Sequence, residues 1–227
     1  VAPAVAPMVG GWLFVSADWH AIFWFLALIS AALWWAVWRA LPETLHTTQR
    51  QPVHVGPLLR GYVQMMRNPH FMMLALASGI PFNGMFLYVL SAPVWLGDIL
   101  KLQPTQFFWF FCMSVSGIML GAWLSGRLAG RIKPKHQIRR GFVIMLGTSV
   151  VNVLMNLLST PHPFWAMLTV SVFSFGWALM VPVVTLMVLD LVPERRGMAS
   201  SVQAFIGSMA NGIVAGVVAP LVMHSTV

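Results

Sequence analysis

Pro163–Leu189 reads PFWAMLTVSVFSFGWALMVPVVTLMVL, without one Asp, Glu, Lys, Arg or His. A helix needs about 20 apolar residues to cross the hydrocarbon core of a bilayer, and this run exceeds that. Six more charge-free stretches accompany it: Val1–Ala17, Ala21–Trp38, Phe71–Gly97, Leu102–Gly126, Gly141–Pro161 and Gly197–Met223. Ala21–Trp38 falls just short of a full span and Val1–Ala17 is shorter still. No water-soluble domain of 227 residues spaces its charges this way. Continuous rather than alternating apolar runs exclude a transmembrane barrel. The expected fold is an all-α polytopic membrane protein of about seven transmembrane helices.

The remaining charges are sorted by side. Counting loops from the first stretch, one side holds Arg39, Arg50, Arg60, Arg67, Arg127, Arg131, Lys133, Lys135, Arg139, Arg140, Arg195 and Arg196. The other side holds only Lys101. By the positive-inside rule the first side is cytoplasmic. A span too many or too few would scramble this alternation, so it supports the span count independently. The net charge of +8 is thus a topology signal. It does not indicate a nucleic-acid partner, because the basic residues sit in short loops between apolar helices.

Cys112 is the single cysteine and lies inside a span, which excludes an intrachain disulfide and a Cys-based metal site. His20, His46, His54, His70, His136, His162 and His224 all lie outside the charge-free stretches, which argues against a buried metal cluster. No metal and no cofactor is expected. No nucleophile–base pair or phosphate-cradling glycine loop is visible, so no enzymatic activity is expected. Trp19, Trp34, Trp35 and Trp38 crowd the ends of one span, as interfacial anchors do.

The spans are read at about Val1–Val15, Ala21–Trp38, Phe71–Trp95, Thr105–Gly126, Gly141–Leu158, Phe164–Leu189 and Met198–Val222. Ala40–His70, with Pro42, Pro52, Pro57 and Pro69, is the one connector long enough to join two bundles. Within it, Val55–Met66 is predicted to form a surface helix. Leu58, Leu59, Tyr62, Val63 and Met66 lie on one side of it, and Arg60 and Arg67 face headgroups or water. Small residues recur four apart at Ala2, Ala6 and Gly10, at Gly117, Gly121 and Ser125, and at Gly212 and Gly216, a spacing that lets helix backbones approach closely. The chain begins with Val, opens directly on a span and carries no polar tail. It is expected to be a fragment of a larger transporter.

Three local patterns carry a resemblance. Ala2-Pro3-Ala4-Val5-Ala6-Pro7-Met8-Val9-Gly10-Gly11 resembles the antiporter motif Gly-x-x-x-Gly-Pro-x-x-Gly-Gly of major facilitator drug exporters, with Ala2 and Ala6 in glycine slots. Gly126-Arg127-Leu128-Ala129-Gly130-Arg131 resembles the superfamily's basic loop motif Gly-x-Leu-Ala-Asp-Arg, with Gly130 in the Asp slot. Leu41-Pro42-Glu43-Thr44-Leu45 and Pro193–Phe205 (PERRGMASSVQAF) look like the Bcr/CflA drug-resistance subfamily. The resemblance implies helices five to eleven of a twelve-helix bundle. Residues 1–38 would be the last two helices of the N-terminal half, 39–70 the cytoplasmic linker, and 71–227 the C-terminal half without its last helix.

The resemblance implies a multi-pass protein of the bacterial inner membrane, and a monomer is expected. It would export drugs or small amphipathic solutes in exchange for protons. A transporter of a specific metabolite, such as an amino acid or sugar, is the rival. Pro7, Gly10 and Gly11 would shape a bend in helix five that blocks ion leakage; a Pro-kinked, closely packed helix accounts for the same residues. Gly126, Arg127 and Arg131 would belong to a conformational latch. A topology anchor near anionic lipid is the favoured reading of the basic residues there, since Gly130 supplies no carboxylate.

Amides inside spans need partners or a watery cavity. Asn83, Gln203 and Asn211 lie in helices that line the cavity in the family and are expected to touch substrate. Asn152 and Asn156, on a peripheral helix, are expected to be structural. Phe86, Phe173 and Trp177, with Phe82 and Met180, form stripes suited to an adaptable apolar pocket wall. No carboxylate lies mid-span, so the proton-coupling group is expected in helices preceding this chain.

Overall fold

A computed structural model describes residues 9–10, 12–13, 16–42, 54–92, 94, 107–158 and 163–222. Every regular element among them is helical. Among the described residues, six stretches are long and apolar enough to cross a membrane. The expected first span lies largely outside the described residues. The chain divides into two units, residues 1–58 and 59–227.

In the first unit, α1 (Trp19–Ala40) is 22 residues long. Asp18 caps it: one carboxylate oxygen accepts from the His20 backbone N–H at 3.3 Å and the other meets His20 Nδ1 at 2.6 Å. That satisfies one of the orphan donors at a helix start. No residue of α1 is buried. Trp24, Trp34 and Trp38 stand about 70% exposed, a surface suited to hydrocarbon and not to water.

In chain order the other helices are α2 (Val55–Arg67), α3 (Pro69–Gly79), α4 (Phe82–Ala92), α5 (Phe107–Leu128), α6 (Pro134–Leu158), α7 (Pro163–Asp190), α8 (Arg196–Ile213) and α9 (Ala219–Val222). A 3₁₀ turn at Pro193–Arg195 leads into α8, and a π turn at Val214–Val218 joins α8 to α9.

The predicted span Phe71–Trp95 is matched by one membrane-length stretch, Pro69–Ser91, whose helix is interrupted midway. Pro81 offers no N–H and its ring crowds the preceding turn, so α3 stops at Gly79 and α4 starts at Phe82. Asn68 caps α3, its side-chain oxygen accepting from the N–H groups of His70 and Phe71. By contrast α7 runs unbroken through Pro182.

The expected surface helix forms as α2, and its other side is partly covered. Gly61 and Met65 are buried, with Tyr62 beside them, while Leu59, Val63 and Met66 are exposed. The cause is Gly61: a Cβ there would meet the Met198 sulfur at 2.7 Å, so the glycine side of α2 lies on the start of α8. Arg60 and Arg67 are exposed as expected.

α6 begins at Pro134, well before the charge-free run at Gly141. Lys135, His136, Arg139 and Arg140 therefore ride on its first two turns and not in a loop. The loop proper is short and turns at Gly130, whose φ of 74° is the left-handed conformation that glycine takes without strain.

α7 is the central helix of the second unit. Val170, Ser174, Ala178, Leu179, Met180, Val184 and Val188 are all buried. At the end bearing the basic residues it joins Met65, Phe71, Leu74, Ala75, Ala199, Val202 and Ile206 in one cluster. At the other end Met167 and Val170 pack with Met85, Tyr88 and Val89 of α4 and with Phe111 and Met113 of α5. Lipid tails are as apolar as leucine, so close packing through small residues holds such a bundle together. A Cβ on Gly117 would run into the carbonyl of Ser171, and one on Gly121 into that of Phe175. Gly141 and Gly176 bring α6 against α7 in the same way. Gly212 and Gly216 do not share this role within the described residues: nothing lies near either.

Candidate substrate site

An amide at membrane depth without a partner costs a few kcal/mol. The span amides divide by whether that cost is met. Gln137, 1% exposed, donates to Ser125 Oγ at 2.7 Å and to the Leu179 carbonyl at 2.9 Å. Asn152 donates to Tyr88 Oη at 2.7 Å and accepts from Thr169 Oγ1 at 3.1 Å. Asn156 donates to the Asn152 carbonyl at 2.8 Å. These three are satisfied.

The group around α3, α4, α7 and α8 is different. Gln203 donates to Ser78 Oγ at 2.8 Å and to Thr185 Oγ1 at 3.1 Å, tying α8 to α3 and α7. The Ser78 hydroxyl spends its own proton on the Ala75 carbonyl, so its lone pair is free to accept. The Trp177 indole N–H donates to the Ser78 carbonyl over a long 3.4 Å. Gly79 and Gly207 cross beside this cluster, with a Cβ on Gly79 only 3.1 Å from the Gly207 Cα.

Asn83 and Asn211 each lie one helical turn beyond that crossing. Asn83 is 8% exposed. Its amide nitrogen donates to the Gly79 and Ile80 carbonyls at 3.3 Å each, and the Ile80 carbonyl also accepts the Asn83 backbone N–H at 2.9 Å. Its Oδ1 is buried and has no partner among the described residues, and the same holds for Asn211 Oδ1. Phe82 lies against Trp177 with ring centroids 5.1 Å apart, and Phe86 stacks on Phe82 at 6.0 Å. A buried amide oxygen lacking a donor on Asn83, next in the chain to the Phe82 ring, with a second on Asn211 of α8, suits a solute with an apolar body and an N–H or O–H group.

Of the six residues expected to touch substrate, Trp177 and Gln203 meet at Ser78, and Phe86 reaches Trp177 through Phe82. Asn83 and Asn211 share the next turn outward. Phe173 lies apart from these. Its ring faces Gly84, where a Cβ would sit 2.6 Å from it, and it lines a separate pocket of about 260 Å³ with Tyr88 and Asn152. Sequence reasoning missed Ser78 and Thr185, since a span hydroxyl ordinarily bonds back into its own helix and gives no signal. It also missed Tyr88, although one of only two tyrosines placed inside a span is a signal that was available.

Pro7 and Gly11 lie outside the described residues. Gly10 and Gly126 have open space around them. The Arg127 guanidinium stands 4.2 Å over the Trp123 ring, a cation–π contact in place of an acidic partner. Arg131 is exposed. Asp190 forms an ion pair with Arg196 at 2.8 Å, and Asp18 hydrogen-bonds His20. No cluster of His, Cys, Asp and Glu among them is arranged to hold a metal.

Residues 1–215 match the family described as Major Facilitator Superfamily. The chain is 30% identical over 225 residues to the uncharacterized MFS-type transporter YdgK of Bacillus subtilis, covering 98% of this chain and 54% of that protein. It is 24% identical over 232 residues to a bicyclomycin resistance protein homolog of Haemophilus influenzae, covering 99% and 56%. It is likewise 24% identical over 233 residues to multidrug resistance protein D of Escherichia coli, covering 97% and 55%. The chain spans about half the length of these relatives.

Proposed function

This chain belongs to the Major Facilitator Superfamily, and on that premise we propose that it forms part of a proton-coupled exporter of drugs or small amphipathic solutes. The observation that carries the reading is the pair of donor-less buried amide oxygens, on Asn211 of α8 and on Asn83 of α4, the helix that bears the Phe82 and Phe86 rings stacked toward Trp177. Such a wall accepts varied apolar solutes and asks of them only a hydrogen-bond donor. The resistance named in two of the relatives points the same way. Residues 1–38 are assigned to the end of one half of the transporter, 39–70 to the linker, and 71–227 to the other half. The halves rock about a midplane site, exposing it alternately to the two sides. Gln203 holds α3, α7 and α8 in register, while Asn83 and Asn211 meet the solute. The protein is assigned to the bacterial inner membrane as a monomer. Among the described residues Asp18 caps α1, Asp190 ends α7 and Glu194 sits in the 3₁₀ turn, so none of these carboxylates lies mid-span, and the proton-carrying carboxylate is assigned to another part of the full-length transporter.

The test is expression of the full reading frame in a bacterial host stripped of its own exporters. Resistance to several unrelated amphipathic compounds, abolished by a protonophore, is the expected result. Unchanged resistance together with uptake or release of one amino acid or sugar would replace this reading with that of a metabolite transporter.

A further inference from the structure

At the basic end of α5 and α6 lies a second pocket, of about 420 Å³. His136, Arg139 and Arg140 stand at its mouth, and Leu128, Phe175 and Leu179 form its floor. The early start of α6 places His136, Arg139, Arg140 and Val143 on one face, three and four residues apart. Farther along the helix, that face continues as exposed Leu146 and Val150. A charged patch therefore grades into an apolar track along a single helix. Buried Gln137 fixes the geometry by binding Ser125 of α5 and Leu179 of α7.

The electrostatics lack their counterpart. Cations on the opening turns of a helix face its positive dipole end, an unfavourable placement unless an anion joins them. No acidic residue occupies the first turn of α6. The sequence has none between Asp98 and Asp190, and no described ion pair involves Arg139 or Arg140. Arg131, Lys133 and Lys135 are also exposed but do not line the pocket, so they offer charge without the apolar floor.

We propose that this pocket binds an anionic phospholipid from the leaflet at the basic end. The phosphodiester sits against the Arg139 and Arg140 guanidinium groups, whose planar forks match phosphate oxygens. One acyl chain enters over Leu128, Phe175 and Leu179, and the other follows Val143, Leu146 and Val150. A solute carrying only the phosphate would use the mouth and forgo the floor, so chain dependence separates lipid from free phosphate.

Native mass spectrometry of the delipidated full-length protein in detergent, titrated with phosphatidylglycerol or phosphatidylcholine, tests this. Phosphatidylglycerol is expected to bind about tenfold more tightly. The Arg139→Gln/Arg140→Gln variant is expected to lose that preference, to within about twofold. The Arg131→Gln/Lys133→Gln/Lys135→Gln variant keeps most of it, and Arg139→Lys/Arg140→Lys keeps part of it. Both arginines are exposed, so an unchanged thermal midpoint in phosphatidylcholine confirms folding; if the double variant does not purify, Arg140→Gln alone is expected to lose about threefold. Equal binding of the two lipids to the wild type would overturn the proposal. So would a preference surviving in the double glutamine variant, or displacement of phosphatidylglycerol by inorganic phosphate at comparable concentration.

Discussion

The two sides of α7 hold their amides in opposite ways. Where α5 and α6 pack, glycines put backbone on backbone and each amide is spent: Gln137 ties three helices, and Asn152 is gripped by Tyr88 and Thr169. Where α3, α4 and α8 pack, a single glycine crossing is followed by Asn83 and Asn211, each with a buried oxygen that nothing described answers. Both sides carry the same residue types at similar depth. Burial of an amide is therefore no guide to its role; what separates glue from a binding group is whether its hydrogen bonds are already made.

This contrast breaks most visibly at the glycines. Gly117→Leu pushes a side chain into the Ser171 carbonyl, which cannot move without shifting α7. It is expected to cost about 3 kcal/mol or more, read as a lower thermal midpoint or loss of monodisperse protein in detergent. Gly147→Ala, where nothing lies nearby, is the control and should stay within about 1 kcal/mol. A mild Gly117→Leu phenotype would mean that α5 and α7 are not backbone-packed.

The next effect is smaller. Gln137→Leu abandons the Ser125 and Leu179 partners and is expected to lose about 1–2 kcal/mol of stability, the range of interhelical hydrogen bonds in membranes. Its substrate range should be unchanged. Smaller again is Asn152→Leu, which severs the bridges to Tyr88 and Thr169 but leaves the Thr169 hydroxyl its Ala166 carbonyl, and is expected to cost about 0.6–1 kcal/mol. A reshaped resistance profile from Asn152→Leu would move the site to the pocket lined by Phe173 and Tyr88.

How much of this was legible in the sequence follows from what each signal measures. Charge-free length is a property of single helices, so the spans could be read directly, with α1 and α7 near their expected bounds. Helix breaks depend on local context. Pro81 interrupts the helix within its span, where Gly79 precedes it, while Pro182 is absorbed by a helix packed on several sides. The small-residue spacing picked out Gly117 and Gly121 correctly but could not distinguish them from Gly212 and Gly216, because spacing does not reveal a neighbour. The amides were legible as residues demanding explanation. Their partners were not, since Ser78 and Gln203 lie far apart in sequence and are joined only by the crossing of α3 and α8.

The central claim is that the unanswered oxygens of Asn83 and Asn211 are reserved for solute. Leucine at both positions removes two buried acceptors that cost stability and removes only weak bonds to α3 carbonyls. The measurement is thermal stability and resistance profile, side by side, for full-length Asn83→Leu/Asn211→Leu at matched membrane expression. The account predicts stability held within about 1 kcal/mol or raised, with resistance lost for donor-bearing compounds and kept for those without a donor. A variant that is destabilised by about 2 kcal/mol or more while its resistance profile is unchanged would show these amides to be glue, as Gln137 is, and would contradict the account.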